Sequence, residues 1–174
     1  MIQWTSIFCF LALCATLTYA DIGGAVAGKV SKCAALANEA KAKMADAKAD
    51  GNQAMCAASK SAEMIMDAFK GTELEKSCTP DCEKVMTMAK EDEEEAKKTF
   101  AEEKEQLSMK EWEQKMQKKH EEMKKSNPDK VKAYEAESKK CQDCGKKHLA
   151  EIEKKCEEMK ADAMVKTVRS TCGF

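Results

Sequence analysis

The stretch KKCQDCGKKH, residues 139–148, holds the cysteine pair on which the fold depends, Cys141 and Cys144, with His148 four residues further on. A C-x-x-C pair can belong to a disulfide framework, a redox-active dithiol or a set of metal ligands. The compartment in which the protein folds decides among these interpretations, because disulfides persist mainly in oxidising surroundings. The N-terminus of the chain indicates that compartment.

Residues 1–20 form an uncharged, largely apolar segment. Its apolar run, residues 7–17, is too short to span a bilayer, and Ala20 before Asp21 is an acceptable cleavage site. This pattern predicts a secretory signal peptide, although the usual basic residues at its start are missing; a membrane anchor is the alternative. We therefore expect a secreted, extracellular protein that begins at Asp21 and has no transmembrane segment.

The charge composition excludes some classes of partner. The chain has 30 basic and 31 acidic residues and a formal net charge of −1, so bulk attraction to nucleic acid or to anionic membranes is not indicated. Charged residues make up 35% of the sequence and aromatic residues 5%, whereas globular chains have roughly 25% charged residues. That composition favours long, solvated helices over a broad compact core.

The cysteine content points to disulfides. Ten cysteines are present, and two of them, Cys9 and Cys14, belong to the predicted leader. An even number of remaining cysteines in an exported chain implies disulfide bonds, although the number alone leaves their connectivity open. The predicted disulfide cysteines are Cys33, Cys56, Cys78, Cys82, Cys141, Cys144, Cys156 and Cys172.

An alanine-rich segment, residues 21–76, is predicted to form a short helical hairpin. Small and apolar residues recur every three or four positions over residues 25–50, which is typical of a helix with a narrow seam. Turn residues at 50–52 end that helix. A second helix is expected over about residues 53–69, closed by turn residues at 70–72.

The remaining segment, residues 77–174, is predicted to form a long, charged, coiled-coil-like hairpin within the same mature unit. Thr79 is a good N-cap, and Pro80 fits the first position of a helix. Neither glycine nor proline follows until Pro128, so one helix is expected over residues 80–125.

A fourth helix is expected to begin after a turn at Asn127 and to extend to about residue 170, disturbed near Gly145. The predicted fold class is therefore all-α. Two antiparallel helical hairpins, the short alanine-rich one packed on the long charged one, are stapled together by disulfides.

The geometry of the two hairpins predicts which cysteines can bond. Residues equidistant from the turn of a straight antiparallel helix pair lie at the same level. With the turn of the long hairpin at Asn127, Cys82 lies level with Cys172. The same measure places the other cysteines, although exchanging Cys78 with Cys82 is almost as good. The predicted disulfides are Cys33–Cys78, Cys56–Cys156 and Cys82–Cys172.

This arrangement leaves Cys141 and Cys144 at a level of their own. A local disulfide between them, or bonds to a first hairpin that packs differently, are the structural interpretations. As alternatives, neighbouring lysines could lower the thiol pKa of a redox pair, His148 could join the two cysteines as a zinc ligand, or the cysteines could bond a second molecule. We assign no metal ligand and no cofactor.

A methionine-rich set of side chains is the candidate apolar patch or pocket, because methionine-rich helical surfaces adapt to varied partners. The alternative is that these methionines fill an irregular core among alanine-rich helices. The set consists of Met64, Ile65, Met66, Phe69, Met86, Met88, Met159 and Met164.

The C-x3-C spacing of Cys78 and Cys82 resembles a spacing in helical insect odorant-binding proteins and in plant α-hairpinins. Each resemblance covers that one pair, and the other cysteine spacings of both families differ from those of this chain. The sequence is therefore assigned to neither family.

The sequence contains no nucleophile elbow, phosphate-binding glycine-rich loop or zinc-protease motif, so we expect no catalytic residue and no enzymatic activity. The leading hypothesis is a secreted, toxin-like binding or effector protein, of the venom, salivary or host-interaction type, that recognises an extracellular protein. One alternative is an extracellular carrier of a small apolar ligand. Another is a structural protein of a secretion that self-associates through its long helices.

Overall fold

The computed structural model describes residues 32–174, apart from the side chains of residues 120, 123 and 124. The predicted signal peptide and the expected start of the first helix lie outside the described residues. Within them, the all-α fold class is confirmed. The elements are α1 (Lys32–Met44), β1 (Lys48–Ala49), α2 (Gly51–Phe69), α3 (Glu73–Phe100), β2 (Leu107–Ser108), α4 (Met109–Ser126), α5 (Pro128–Lys146), α6 (Leu149–Glu158) and α7 (Ala161–Cys172).

The second helix, α2, begins and ends at the two predicted turns. Asp50 is its N-cap and forms a capping box: the Gln53 amide donates to the Asp50 side chain at 2.9 Å, and the Asp50 amide donates to the Gln53 side chain at 3.0 Å. Beyond the other end, Gly71 has a φ of +76°, in the left-handed region that favours glycine. These local signals confirm the predicted second helix.

The expectation that a helix begins at Pro80 is wrong, because α3 begins at Glu73 and Pro80 lies inside it. The N-cap is Thr72, whose hydroxyl accepts a hydrogen bond from the Glu75 amide at 3.3 Å. The Thr79 hydroxyl instead donates to the Glu75 carbonyl at 2.5 Å. Proline has no backbone N–H, so one hydrogen bond of the helix is missing at this position. Pro80 is exposed, so the gap lies at the solvated face of the helix.

The single helix predicted over residues 80–125 is also wrong, because the chain leaves the helix between Phe100 and Met109. Ser108 starts a new helix, and its amide and hydroxyl donate to the Glu111 carboxylate at 2.7 and 2.6 Å. An S-x-x-E sequence of this kind is a local signal for a helix start. The helix α4 and the loop before it, residues 101–126, are called the arm below.

A two-stranded antiparallel ladder holds the arm against the start of α2. Its register places Lys48 opposite Ser108. Just after β1, the Gly51 amide donates to the Glu103 carbonyl at 3.0 Å. A Cβ atom at this position would collide with the Phe100 carbonyl oxygen, so the close approach of the two backbones requires glycine.

The helices do not pair as the two predicted hairpins. The most extensive packing in the described part of the chain is between α3 and α5, while α1 packs on α6 and α7 rather than chiefly on α2. In turn, α2 packs on α7 and α3. The reason is that the last part of the chain is not one long helix. It ends one helix at Lys146 and another at Glu158, and the short helices fold back over α1.

Most of the buried apolar residues form two clusters. The main core lies where α3 and α5 meet the helices around them, and the smaller arm core lies beneath α4. The buried residues of the main core are Cys33, Leu36, Ala40, Phe69, Leu74, Cys78, Cys82, Val85, Met86, Cys141, Cys144, Ile152, Cys156, Ala161 and Met164. Those of the arm core are Ala49, Ala54, Met55, Phe100 and Trp112.

Candidate functional site: the paired disulfides and His148

All eight predicted disulfide cysteines are joined in disulfides, but each predicted pairing is wrong. The structure contains none of Cys33–Cys78, Cys56–Cys156 and Cys82–Cys172 within the described residues. The four bonds present are Cys33–Cys156, Cys56–Cys172, Cys78–Cys144 and Cys82–Cys141.

The pairing differs because the prediction assumed a straight helix that runs up to a turn at Asn127. Instead α3 ends at Phe100, and the chain packs back along it with α5, after the arm has intervened. Cys82 of α3 therefore lies level with Cys141 of α5, and the two are bonded. The C-x-x-C pair neither closes on itself nor reaches the first hairpin, because it bonds to α3.

Two of the bonds, Cys78–Cys144 and Cys82–Cys141, tie α3 to α5 at successive helical turns; together they are called the double staple. Cysteines four residues apart on α3 and three residues apart on α5 each lie on one face of their helix. When two such pairs face each other on antiparallel helices, the first cysteine of one pair bonds to the second cysteine of the other pair, and the two remaining cysteines bond to each other. The two spacings are the sequence signal from which both bonds could have been predicted.

His148 lies beside the double staple, at the N-cap position of α6. Its amide donates to the Gly145 carbonyl at 2.9 Å. The sulfur atoms of Cys78 and Cys144 and a ring nitrogen of His148 all lie within 4.8 Å of one another. The two cysteines are 4% and 5% exposed, whereas the imidazole side chain is 22% exposed. Solvent therefore reaches this corner at the histidine.

Glu151 connects the same corner to the start of α3. Its Oε2 atom lies 3.8 Å from His148 Nδ1 and accepts a hydrogen bond from the Leu74 amide at 3.0 Å. Leu74 lies in the first turn of α3, where free backbone N–H groups favour a carboxylate. Glu151 therefore holds α6 against α3 and presents negative charge to the imidazole.

The oxidised corner is a structural element. Metal binding and thiol redox chemistry both require a thiolate, and the sulfurs of Cys141 and Cys144 are bonded to α3. In this oxidation state the arrangement fixes the relative position of three helices. Reduction of the Cys78–Cys144 bond would leave two thiols beside the His148 imidazole.

Six of the eight members of the predicted apolar patch lie in the main core or pack against it. Three are buried in the main core: Phe69, Met86 and Met164. Three are partly buried and pack against that core: Met64, Ile65 and Met159. The remaining two are half-buried: Met66 and Met88.

A charged side chain is buried between α2 and α3. Glu93 accepts a hydrogen bond from the Ser59 hydroxyl at 2.7 Å and pairs with Lys97 at 2.6 Å. A second polar link joins α5 to α3, where Lys130 lies 2.6 Å from Asp92. That hydrogen bond raises the pKa of Lys130. Both links orient α3 relative to its neighbours.

Comparison with protein families, with curated proteins and with solved structures gives no match for this chain. Among the helices of residues 32–174, none is long and apolar enough to cross a membrane. Function therefore has to be inferred from the residues of the molecule itself.

Proposed function

We propose that this chain is a secreted protein that binds an extracellular protein target and acts through that binding, without catalysis. The observation that carries the proposal is the division between interior and surface. All eight cysteines are paired, six of them are buried in the main core, and six of the eight members of the methionine-rich set are buried in that core or packed against it. The outer faces of the helices are mainly charged and polar, so recognition has to use those faces.

The disulfides support an extracellular location. Structural disulfides persist in oxidising compartments and are rare where thiols are kept reduced. The four bonds span 59 to 123 residues of sequence, so they join distant parts of the chain. Cross-links of this kind suit a helical protein that has to stay folded outside the cell.

The charged surface is displayed on a constrained frame. Ion pairs cross between helices at the surface: Lys41 lies 2.5 Å from Glu113, joining α1 to α4, and Lys43 lies 2.5 Å from Asp162, joining α1 to α7. Exposed pairs of this kind contribute only about 0–1 kcal/mol to stability. Fixed surface charges do determine partner choice and association rate, and this supports recognition as their role.

The test compares two forms of the chain that starts at Asp21: one oxidised, and one reduced and alkylated. Both forms have the same amino-acid sequence, and only the oxidised form keeps the four disulfides that tie the helices together. Each is immobilised and presented with a panel of extracellular and cell-surface proteins. We expect saturable binding by the oxidised form, weaker at high salt because surface charges are screened, and no binding by the alkylated form.

Equal binding by the two forms, or no binding by either, would contradict the proposal. Native mass spectrometry of the oxidised chain supplies the second measurement. We expect a bare monomer. A monomer carrying a lipid-sized mass would favour the carrier of an apolar ligand, and large oligomers that dissociate on reduction would favour the structural protein.

A further inference from the structure

We propose that reduction of the Cys78–Cys144 disulfide converts this corner into a zinc site, in which both cysteine sulfurs and the His148 imidazole bind one Zn²⁺ ion. The proposal does not depend on the identity of the protein's partner. It rests on the geometry of the corner in the oxidised structure and on what holds that corner together when one bond opens.

The three donor atoms are already close. The sulfurs of Cys78 and Cys144 and a ring nitrogen of His148 lie within 4.8 Å of one another, and zinc holds sulfur and nitrogen ligands at about 2.0–2.3 Å from the metal. A zinc ion therefore fits among them after the two sulfurs separate from bonding distance. Cys144 lies near the end of α5, and the turn that follows brings His148 back beside it.

The imidazole has a partner that orients it. Glu151 Oε2 lies 3.8 Å from His148 Nδ1. A carboxylate that holds one nitrogen of a histidine leaves the other available to a metal and raises its basicity. The Leu74 amide fixes the same carboxylate at 3.0 Å, so this orientation is set by the backbone of α3.

The rest of the framework keeps the donors together after reduction. Cys82–Cys141, the other half of the double staple, ties the same two helices one turn away. Cys33–Cys156 anchors α6, the helix that follows His148, to α1. Opening one bond therefore frees two thiols without releasing the elements that carry them, and a preorganised set of ligands costs less to bind a metal.

Three protein ligands leave the fourth position of a tetrahedral zinc open. The imidazole is 22% exposed, so the ion and a water molecule can enter from the histidine side. The two sulfurs lie on the buried side, at 4% and 5% exposure. This arrangement is that of an accessible site, and a closed structural site would need a fourth protein ligand.

The chemistry balances with a dithiol as the reductant. Thiol–disulfide exchange transfers two electrons to the Cys78–Cys144 bond, which becomes two thiols, while the dithiol becomes a disulfide. Zn²⁺ then displaces the two thiol protons to water, so that two thiolates and one neutral imidazole bind the ion.

The experiment uses the oxidised chain that starts at Asp21. It is titrated with a dithiol in the presence of zinc, free thiols are trapped by alkylation and mapped, and zinc is counted on each species by native mass spectrometry. We expect one zinc on the species in which only Cys78 and Cys144 are reduced, and none on the oxidised chain. Alkylation of these two thiols should be slowed by zinc.

Variants locate the site. His148→Gln should weaken zinc binding at least tenfold, and Glu151→Gln should weaken it about tenfold or more, in the range seen when a carboxylate behind a metal-bound histidine is removed. His120→Gln, which changes the other histidine of the chain, is the matched control and should bind as the unmodified chain does. Circular dichroism and mapping of the other three disulfides confirm that each variant is folded.

Two results would overturn the proposal. One is that no species with this pair reduced carries zinc, or that His148→Gln binds zinc as tightly as the unmodified chain. The other is that the pair opens only after the remaining disulfides, because the donors would then no longer share a folded corner.

Discussion

Truncation of Trp112 tests whether the arm is held by its own small core, independently of the disulfides. Trp112 is 0% exposed, and its indole N–H donates to the Ala49 carbonyl at 2.7 Å. Its ring meets that of Phe100 edge-on, with ring centroids 5.8 Å apart and planes at 85°. No cysteine lies between Cys82 and Cys141 in the sequence, so no disulfide cross-links the arm, and only non-covalent contacts hold it against the stapled helices.

The expected loss of stability follows from the burial of Trp112. Replacing a fully buried tryptophan by alanine costs about 3–5 kcal/mol. Because Trp112 packs in the arm core, this loss should fall on the equilibrium between the attached and the opened arm. A loss of 3 kcal/mol increases the opened population by roughly 100-fold. Trp112→Phe retains an aromatic ring but leaves the Ala49 carbonyl without this donor, at a cost of about 1–3 kcal/mol.

Hydrogen exchange followed by mass spectrometry measures the opening directly. The amides that join the arm to the segment before α2 are those of Met109, which donates to the Ala47 carbonyl at 2.9 Å, and Lys110, which donates to the Ala45 carbonyl at 3.1 Å. In Trp112→Ala their exchange should accelerate by roughly 100-fold or more. Trp112→Phe should give an intermediate acceleration, and the amides of the double staple should be unchanged in both variants.

Two outcomes would refute this reasoning. If amides of the arm and of the double staple accelerate together, the arm and the main core unfold as one unit. If neither accelerates in Trp112→Ala, the arm is held by contacts outside its core, such as the ion pair of Lys41 with Glu113.

Three further predictions concern the arm, the buried carboxylate and the double staple. Hydrogen bonds from Ser108 lower the pKa of Glu111 from 4.5 to about 2. Because the pKa is lower in the folded state, the ionised carboxylate stabilises the arm at pH values above 4.5. This stabilisation is lost as the pH falls from 4.5 towards 2. Trp112 fluorescence should report loosening in that range, and Glu111→Gln should remove the pH dependence; an unchanged transition in the variant would contradict the assignment. Ser59→Ala should lower the free energy of unfolding in urea by about 1.5–3 kcal/mol, because Glu93 loses a charge-assisted hydrogen bond, and a loss below about 0.5 kcal/mol would argue against that bond. Replacing both disulfides of the double staple by serine pairs should cost about 2 kcal/mol more than the sum of the two single replacements, since either bond alone still closes the long loop; additive losses in denaturant titrations would show that the bonds act independently.

Local sequence signals were sufficient for several elements. The turn residues at 50–52 and 70–72 predicted both ends of α2, because a capping box and a left-handed glycine act within a few residues. The involvement of all eight cysteines in disulfides likewise followed from their even number. Neither inference required knowledge of how the helices pack.

Other local signals were present but were outweighed. Ser108 and Glu111 form a capping box that marks the start of α4, yet the absence of glycine and proline favoured an unbroken helix. At the other end of the predicted helix, Thr79 and Pro80 have the pattern of a helix start, but Thr72 already caps α3. Burial of Leu74 against the main core stabilises the earlier turn, and such tertiary packing outweighs local propensity.

The sequence by itself determined that the chain is helical, rich in charge and cross-linked, because composition, helix periodicity and cysteine number act without reference to distant residues. Only the tertiary structure decided which helices are neighbours. One break after Phe100 moves the partner of Cys82 from Cys172 to Cys141, since a disulfide requires two residues at the same level. The same packing brings His148 to Cys78, on another helix. Proximity of that kind depends on where every intervening helix ends, and the helix ends depend in part on burial that forms only in the folded molecule.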